Sequence, residues 1–565
     1  MIQLRRGPGW AGAVAVYLLA VAFRLPFVRS GINLYDEGLQ LYTAARVLAG
    51  DVPYRDFFAY YGPGHYYLPA GVMALLGQEI VAVRLAQLAI SAVIPAALYL
   101  MARRAGVPPV WALVPPVASL ALPHIPGGSA LVPLALAGVC LTGAGAGAWR
   151  RALAAGLCLG VAGWFRHDFA VYGALAAVAA AWPLAGAPVS TDPPPEPRGR
   201  LARWARLVTA LGGGFVVAAG PVYGALLAVV GPRQLVESLV ATPPALMPYR
   251  VVPYRSVLGR ALRKVYYNAF EDPFQLQMVR FLADAWVLLA PLVAVVVAAL
   301  VVVPRVRALV GWSAPRAVAT VYALAFCAGV AIYTFGRSDP YHSYPMHLFA
   351  TTALALLLGG VRLPGRLREI TARACLAGAL VASLVLLSWL EWTKVESFVA
   401  LDVPRARTVR VRPSHLWIAD AVTRLEALGG NGPILVGAPS HDRVFISANM
   451  LYFLSGRPSA TYFFDYLPGV TTSRPVQACM VEELGRPEVR AVVIWSTKHD
   501  DEPNLSRHSS GVFLLDEAVR AGFELAHRDP DYDLLVRSSG IQGDAAQPAC
   551  APQAFRQWLA EARRR

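Results

Sequence analysis

Asp36 and Glu37 stand side by side in Gly31-Ile32-Asn33-Leu34-Tyr35-Asp36-Glu37-Gly38, a few residues beyond the first long apolar stretch. Carboxylates that close to a bilayer are costly to desolvate and usually have a task. Asp51, Arg55 and Asp56 follow in the same segment. Arg166-His167-Asp168 is squeezed between two apolar stretches, and Arg337-Ser338-Asp339-Pro340-Tyr341-His342 ends another. A looser set, Tyr249, Arg250, Tyr254, Arg255, Arg263, Lys264, Tyr266 and Tyr267, mixes aromatic and basic side chains. The chemistry such groups suit is transfer onto a hydroxyl. A carboxylate within hydrogen-bond reach takes the proton of the attacking group. Arginine and histidine neutralise a phosphate leaving group, arginine through its planar fork. A polyprenyl phosphate is already stable as an anion, so one carboxylate and a basic pocket suffice, without the second acid of a glycosidase.

Each group also has a purely structural reading. An acidic pair in an outer loop can be a solvated turn. Arg166-His167-Asp168 can be an ion pair closing a tight helical turn, and Arg337 can pair with Asp339. The aromatic and basic mixture can be an interfacial belt. Four such clusters on one face favour a shared task.

The elements that carry these groups are set by composition. The chain has 565 residues, is 56% hydrophobic and only 15% charged, and its mean hydropathy is +0.48. That describes a polytopic α-helical membrane protein. Apolar stretches recur to about Trp392 and divide into about eleven spans, near 9–28, 79–101, 108–123, 128–148, 152–166, 169–187, 207–230, 281–303, 317–335, 346–361 and 374–393. The short apolar stretch 66–77 reads as interfacial or re-entrant. Arg5-Arg6 precede the first span with no small-x-small cleavage site after it, so it reads as a retained helix.

Charge orients the chain. Residues 1–397 hold 32 Lys+Arg against 16 Asp+Glu, whereas 398–565 hold 19 of each, so the whole excess of +16 lies in the membrane part. A nucleic-acid partner would place a basic face on the soluble domain, and none is expected. With the N-terminus cytoplasmic, every inner loop receives at least two arginines, as the positive-inside rule requires. The long loops 29–78 and 231–280 and the domain 398–565 then face outward. The Pro-rich stretch Asp192 to Pro197 is an inner linker.

From Phe398 the pattern is that of a small α/β domain. Ser414–Leu428 has helical periodicity with Ser414 as N-cap. Pro433–Gly437, Ala491–Trp495 and Tyr532–Arg537 read as strands, and Pro475–Leu484, Val512–Ala521 and Ala554–Arg563 as helices. The aromatic run Tyr462-Phe463-Phe464-Asp465-Tyr466 fits either a sugar-binding surface or core packing. Gly429-Gly430-Asn431-Gly432 precedes a strand rather than following one, so it is no nucleotide loop. Cys479 and Cys550 could pair in an oxidising compartment or stay as thiols.

Tyr35-Asp36-Glu37-Gly38, with Gly50-Asp51-Val52-Pro53-Tyr54-Arg55-Asp56-Phe57 and Tyr61-Gly62-Pro63-Gly64, resembles the first outer loop of GT-C fold membrane glycosyltransferases. These include protein O-mannosyltransferases, lipid A aminoarabinose transferases and Rgt-type enzymes. Gly163 to Asp168 and Gly336 to His342 resemble segments recurring in bacterial members. The resemblance implies an inverting transfer from a polyprenyl-phosphate sugar to an envelope glycan, lipid or protein. It makes Asp36 the general base or the group that orients the acceptor, with Glu37 its acidic neighbour; the topology, rather than the resemblance, places Asp168 near them as a second acid. Arg166, His167, Arg337, His342, Arg263 and Lys264 would then hold the donor phosphate, with Arg55, Asp56 and Asp339 in support. The resemblance leaves open whether a divalent cation takes part. Two other classes remain: a transporter or flippase for a lipid-linked sugar, which should show paired discontinuous helices, and a non-catalytic envelope scaffold.

Overall fold

The computed structural model describes residues 9–120, 128–143, 147–187, 197–254, 284–285, 287–361, 365–498, 502–538 and 550–564. Among these, six helices are long and apolar enough to cross a membrane: Trp10–Phe27, Ile80–Arg104, His167–Ala185, Pro197–Val230, Ala314–Gly336 and Leu367–Val395. Ala290–Val302 and Pro304–Val310 form a seventh candidate, bent by 93°. The protein is therefore a multi-pass helical membrane protein. Among the described residues, other apolar stretches form shorter or more polar helices. Pro115 and Pro116 lie in the short run Val114–Ala118, where proline removes backbone donors. Leu131–Leu141 has only 11 residues. The 66–77 stretch lies in a 13-residue helix, Gly64–Leu76, too short to span.

The chain divides into two compact units. One comprises residues 1–26, 87–224 and 253–394. Its core is aliphatic and aromatic, with Leu98, Met101, Leu134, Tyr322, Phe326 and Phe349 fully buried. Many of its large apolar side chains point outward, Val216, Val217, Val381 and Val385 among them, as lipid contact requires. Glycines let two of its helices touch backbone to backbone. A Cβ at Gly156 would lie 2.1 Å from the Leu211 carbonyl oxygen, and one at Gly214 would lie 2.3 Å from that of Leu153.

The other unit comprises residues 27–86, 225–252 and 395–565, so the first long loop and the described start of the second group with the C-terminal α/β domain. A short ladder pairs β1 (Val399–Ala400) with β2 (Arg410–Val411). The main sheet runs β3 (Ile434–Gly437), β4 (Ala491–Trp495), β6 (Tyr532–Arg537), β5 (Phe523–Arg528) in spatial order. The β3–β4 pair is parallel and the others antiparallel. Ile434, Leu435, Ala491, Val492 and Val493 are fully buried, which is why these strands read as unbroken apolar runs. The helices fall within a few residues of their expected places, at Trp417–Ala427, Arg474–Leu484, Leu514–Gly522 and Ala551–Ala562. Ser414 is not the cap: it sits in a 3-10 turn, Pro413–His415, ahead of the helix. Strand β5 and the helix Asn449–Ser455 have no counterpart in the sequence reading. Cys479 and Cys550 are joined as a disulfide. The aromatic run 462–466 is buried throughout, so core packing is its role.

Candidate active site

The first loop is ordered residue by residue around the Asp36 turn. Helix Asp36–Leu48 starts there, and the side chain of Asn33 begins it. Its Oδ1 accepts from the backbone of Tyr35 at 3.0 Å and of Asp36 at 2.9 Å, offering the free N–H groups of a helix start the acceptor they need. The Asn33 backbone donates in turn to Glu37 Oε2 at 3.2 Å, so Asn33 and Glu37 tie the turn that leads into the helix. Each residue of Tyr35-Asp36-Glu37-Gly38 then has its own contact. Tyr35 donates its phenol toward Asp465 at 3.5 Å. Asp36 is half-buried, with Asn33 Nδ2 at 3.4 Å from its carboxylate. Glu37 is buried and forked by Arg84, Nε to Oε1 at 2.6 Å and Nη2 to Oε2 at 2.8 Å. Gly38 lies against the backbone of the Asn449–Ser455 helix, where a Cβ would come within 2.2 Å of Met450 N. That N–H donates to Leu34 O at 2.9 Å.

Arg84 was not among the candidates, although the sequence held a signal: it is the one charge inside the apolar run Ile80–Ser91, and a lone charge there needs a partner. Its guanidinium also donates to the carbonyls of Val28 at 2.8 Å and Gly31 at 2.6 Å. Glu37 is thus committed to holding the loop's entry, while Asp36 stands half-buried at the start of the helix.

Asp51, Arg55 and Asp56 tie a second turn. Asp51 pairs with Arg46 at 2.6 Å. Asp56 is held by Arg55 through two bonds of 2.9 and 2.8 Å and by the Val52 N–H at 2.7 Å. These bonds, the Arg55 contact first, keep its carboxyl below the ordinary range. Tyr54 takes a left-handed backbone, φ 71°, a conformation strained for a side chain of its size.

Asp465, from the buried aromatic run, joins the first loop from below. It is fully buried and accepts from Tyr60 at 3.1 Å, Tyr35 at 3.5 Å and Asn449 Nδ2 at 3.3 Å. Burial pushes its carboxyl up to about 6. The three donors pull it down and the charge of Asp36 adds to the rise.

In the other unit, two helix junctions have the same construction. Ala148–Phe165 passes to His167–Ala185 through Arg166 alone, φ −142°, ψ 98°. Ala314–Gly336 passes toward Pro340–Leu358 through Arg337, φ −146°, ψ 96°. Each arginine pairs with the acid two residues on: Arg166 Nε with Asp168 Oδ1 at 2.9 Å and Arg337 Nε with Asp339 Oδ2 at 3.0 Å. Asp339 also caps the following helix by accepting from the His342 backbone at 2.9 Å, and its Oδ1 lies 2.8 Å from His342 Nδ1. Tyr333 links the two junctions. The Arg166 guanidinium lies over its ring at 4.7 Å, over Phe169 at 4.4 Å, and the His342 ring lies 4.9 Å from Tyr333. The structure therefore brings Arg166, Asp168, Arg337, Asp339 and His342 together, with both arginines already oriented by acids. Arg263 and Lys264 lie outside the described residues.

A cation site needs converging ligands. Among the described residues, the groups of three that converge are Cys479, Glu483 and Cys550, whose sulfurs form the disulfide, and Asp420, His527 and Asp529 on the sheet side. Asp36 belongs to neither of these groups.

No protein-family model matches the sequence, and no curated protein matches it. Solved structures do. ArnT from Cupriavidus metallidurans in the apo state has a TM-score of 0.52 at 15% identity over 95% of this chain and 98% of its own. The same protein bound to undecaprenyl phosphate gives 0.51 at 14% over the same shares. The Archaeoglobus fulgidus oligosaccharyltransferase scores 0.45 at 12% identity, over 87% of this chain and 70% of its own. At such identities the likeness to ArnT speaks for architecture, and that architecture is the GT-C fold expected from the first loop: a polytopic helical part with an α/β domain.

Proposed function

We propose that this protein is a membrane glycosyltransferase that moves a sugar from a polyprenyl-phosphate carrier to a hydroxyl of an envelope glycan, lipid or protein. The observation that carries this reading is the division of labour in the first loop. Glu37 is buried and forked by Arg84, while Asp36 stands half-exposed at a capped helix start. A fixed carboxylate at the surface of a rigid turn is what a general base requires. The likeness to an ArnT bound to undecaprenyl phosphate supports the donor class.

In the reaction, the acceptor oxygen attacks the anomeric carbon while its proton passes to Asp36. The bond from that carbon to the phosphate oxygen breaks, the lipid phosphate leaves with the electron pair, and the configuration inverts. Arg166, Arg337 and His342 are the proposed phosphate contacts. Their acids orient them, which favours a fixed fork over a mobile charge. The proposal places the N-terminus in the cytoplasm and the C-terminal domain outside the inner membrane. The arginine distribution supports that orientation, and so does the Cys479–Cys550 bond, which suits an oxidising compartment.

A flippase reading draws on the bent pair Ala290–Val302 and Pro304–Val310. Inverted-repeat transporters use two broken helices in corresponding positions, and among the described residues there is one such pair. The test is transfer from radiolabelled polyprenyl-phosphate sugars into envelope acceptors by purified protein. Asp36→Asn should lower the rate by about 10²–10⁴-fold. Wild-type rates in that variant would remove Asp36 as base, and no transfer from any donor would remove the enzyme reading.

A further inference from the structure

A buried carboxylate is retained at a cost. Asp465 has no exposed surface and receives neutral donors, two phenols and an amide. An amide or apolar side chain would fill the place without the desolvation cost of a charge, so something other than stability favours the acid. What its partners do supplies the reason. Tyr35 immediately precedes Asp36. Tyr60 belongs to the strand-like segment after the Asp51–Asp56 turn. Asn449 sits beside Met450, whose N–H holds Leu34 and whose backbone admits only glycine at position 38. Two of the three contacts of Asp465, those with Tyr35 and Asn449, therefore lead to the turn that presents Asp36, and the third, with Tyr60, ties it to the segment after the Asp51–Asp56 turn.

We propose that Asp465 is a positioning residue for Asp36: its buried carboxylate gathers the phenols of Tyr35 and Tyr60 and so fixes the turn on which Asp36 stands. The mechanistic meaning of that positioning rests on Asp36 being the base, but the positioning itself is measurable without any substrate. Asp465→Asn weakens the pattern. With its oxygen toward the phenols, the amide of Asn449 must turn over to accept from the new amide, and the phenols exchange a charged acceptor for a neutral one. The groups facing Asp465 are Tyr35 and Asp36 at the start of the Asp36–Leu48 helix, Tyr60 and Asn449. Arg250 adds a field that acts on both phenols.

The experiment is hydrogen exchange of the full chain in nanodiscs, read on the segment 33–38. Asp465→Asn and Tyr35→Phe should each raise exchange there by about tenfold, the loss of one hydrogen bond to a charged group, with the unfolding midpoint at pH 7.5 not lowered. Infrared spectra should show the protonated carboxyl band of wild type appearing as pH falls through about 6. That band should be absent in Asp465→Asn and shifted to higher pH in Tyr35→Phe, since the lost phenol favoured the charged form. Unchanged exchange at 33–38 in both variants overturns the proposal. So does uniform acceleration along the whole chain with a lowered midpoint, which marks Asp465 as a fold residue only. Should Asp465→Asn fail to fold, Tyr35→Phe, which lacks one hydroxyl, decides alone. If exchange responds as expected while Asp36→Asn keeps wild-type transfer, the base assignment has failed and the positioning stands.

Discussion

Arg84 grips Glu37 through two parallel bonds, 2.6 Å from Nε and 2.8 Å from Nη2, with both side chains largely withdrawn from solvent. Removing one partner of such a pair leaves a buried charge without compensation, at a cost of about 3–5 kcal/mol. Arg84→Ala and Glu37→Gln should both lower the unfolding midpoint and reduce transfer in parallel. Arg84→Lys should rescue little, because a point charge cannot match the fork or reach the carbonyls of Val28 and Gly31 as well. Asp36→Asn should stay within about 0.5 kcal/mol of wild type in thermal unfolding. Equal destabilisation by Asp36→Asn and Glu37→Gln would contradict this division of roles.

Gly38 is required by a close backbone approach, since a Cβ would meet Met450 N at 2.2 Å and Asn449 C at 2.8 Å. Gly38→Ala should destabilise by about 1–3 kcal/mol, the cost of overpacking. Protease sensitivity should rise in the first loop, as limited proteolysis with mass-spectrometric mapping would detect. An alanine variant as resistant as wild type would show that the helix at Asn449–Ser455 gives way.

Tyr333 contributes its ring to the junction cluster. Tyr333→Phe, which keeps the ring, should keep the cation–π and ring contacts. Tyr333→Leu should cost about 0.5–2 kcal/mol through the lost cation–π and ring contacts, and should weaken donor use by raising the KM for the lipid-linked sugar. Equal effects from the two substitutions would assign the role to the hydroxyl instead.

Two buried carboxyls give the C-terminal domain an unusual pH response. Burial raises Asp465 to about 6 and Glu483 to about 7. Both hold protons more tightly when folded than when unfolded, where about 4 applies. Their stabilising protonation is fully present below about pH 4 and is lost as pH rises to 6–7. Asp56, lowered by Arg55, has the opposite sign and contributes above its unfolded value. Thermal unfolding of wild type and Asp465→Asn across pH 4.5–8 should show a difference that grows in favour of the variant up to about pH 6, by at most about 3 kcal/mol for a two-unit shift. A flat difference would place the Asp465 titration elsewhere.

The parts legible in the sequence were those fixed by local patterning. Runs such as Ile434–Gly437 and Ala491–Trp495 are apolar on both faces and could be little else than buried strands. Strand β5, Phe523-Glu524-Leu525-Ala526-His527-Arg528, alternates at a sheet edge directly after a helix, and its exposed side chains gave it no apolar run. Hydropathy found the apolar stretches, but not the lengths of their helices: among the described residues Val114–Ala118, with Pro115 and Pro116, and the 11-residue Leu131–Leu141 are apolar and short. Asp36 was visible because an acid near a bilayer is conspicuous. Arg84 was visible by the same rule and was absorbed into a span. Asp465 was hidden: an acid flanked by aromatics reads as a turn, and only the tertiary approach of Tyr35, Tyr60 and Asn449 gives it meaning.

The two arginine junctions carry a consequence for ligand binding. The first replaces a loop with Arg166 alone and the second with Arg337, Ser338 and Asp339, the two arginines at nearly the same backbone angles. Joints of one and three residues have little slack, so Arg166 and Arg337 can move little further than the helices on either side move. An anion recruited there cannot be fetched by a swinging arm; it must arrive at a fixed address. The ordering cost that a flexible basic loop would meet at each binding event has been met during folding, and lengthening either joint by a single inserted glycine should weaken anion binding while every side chain remains present.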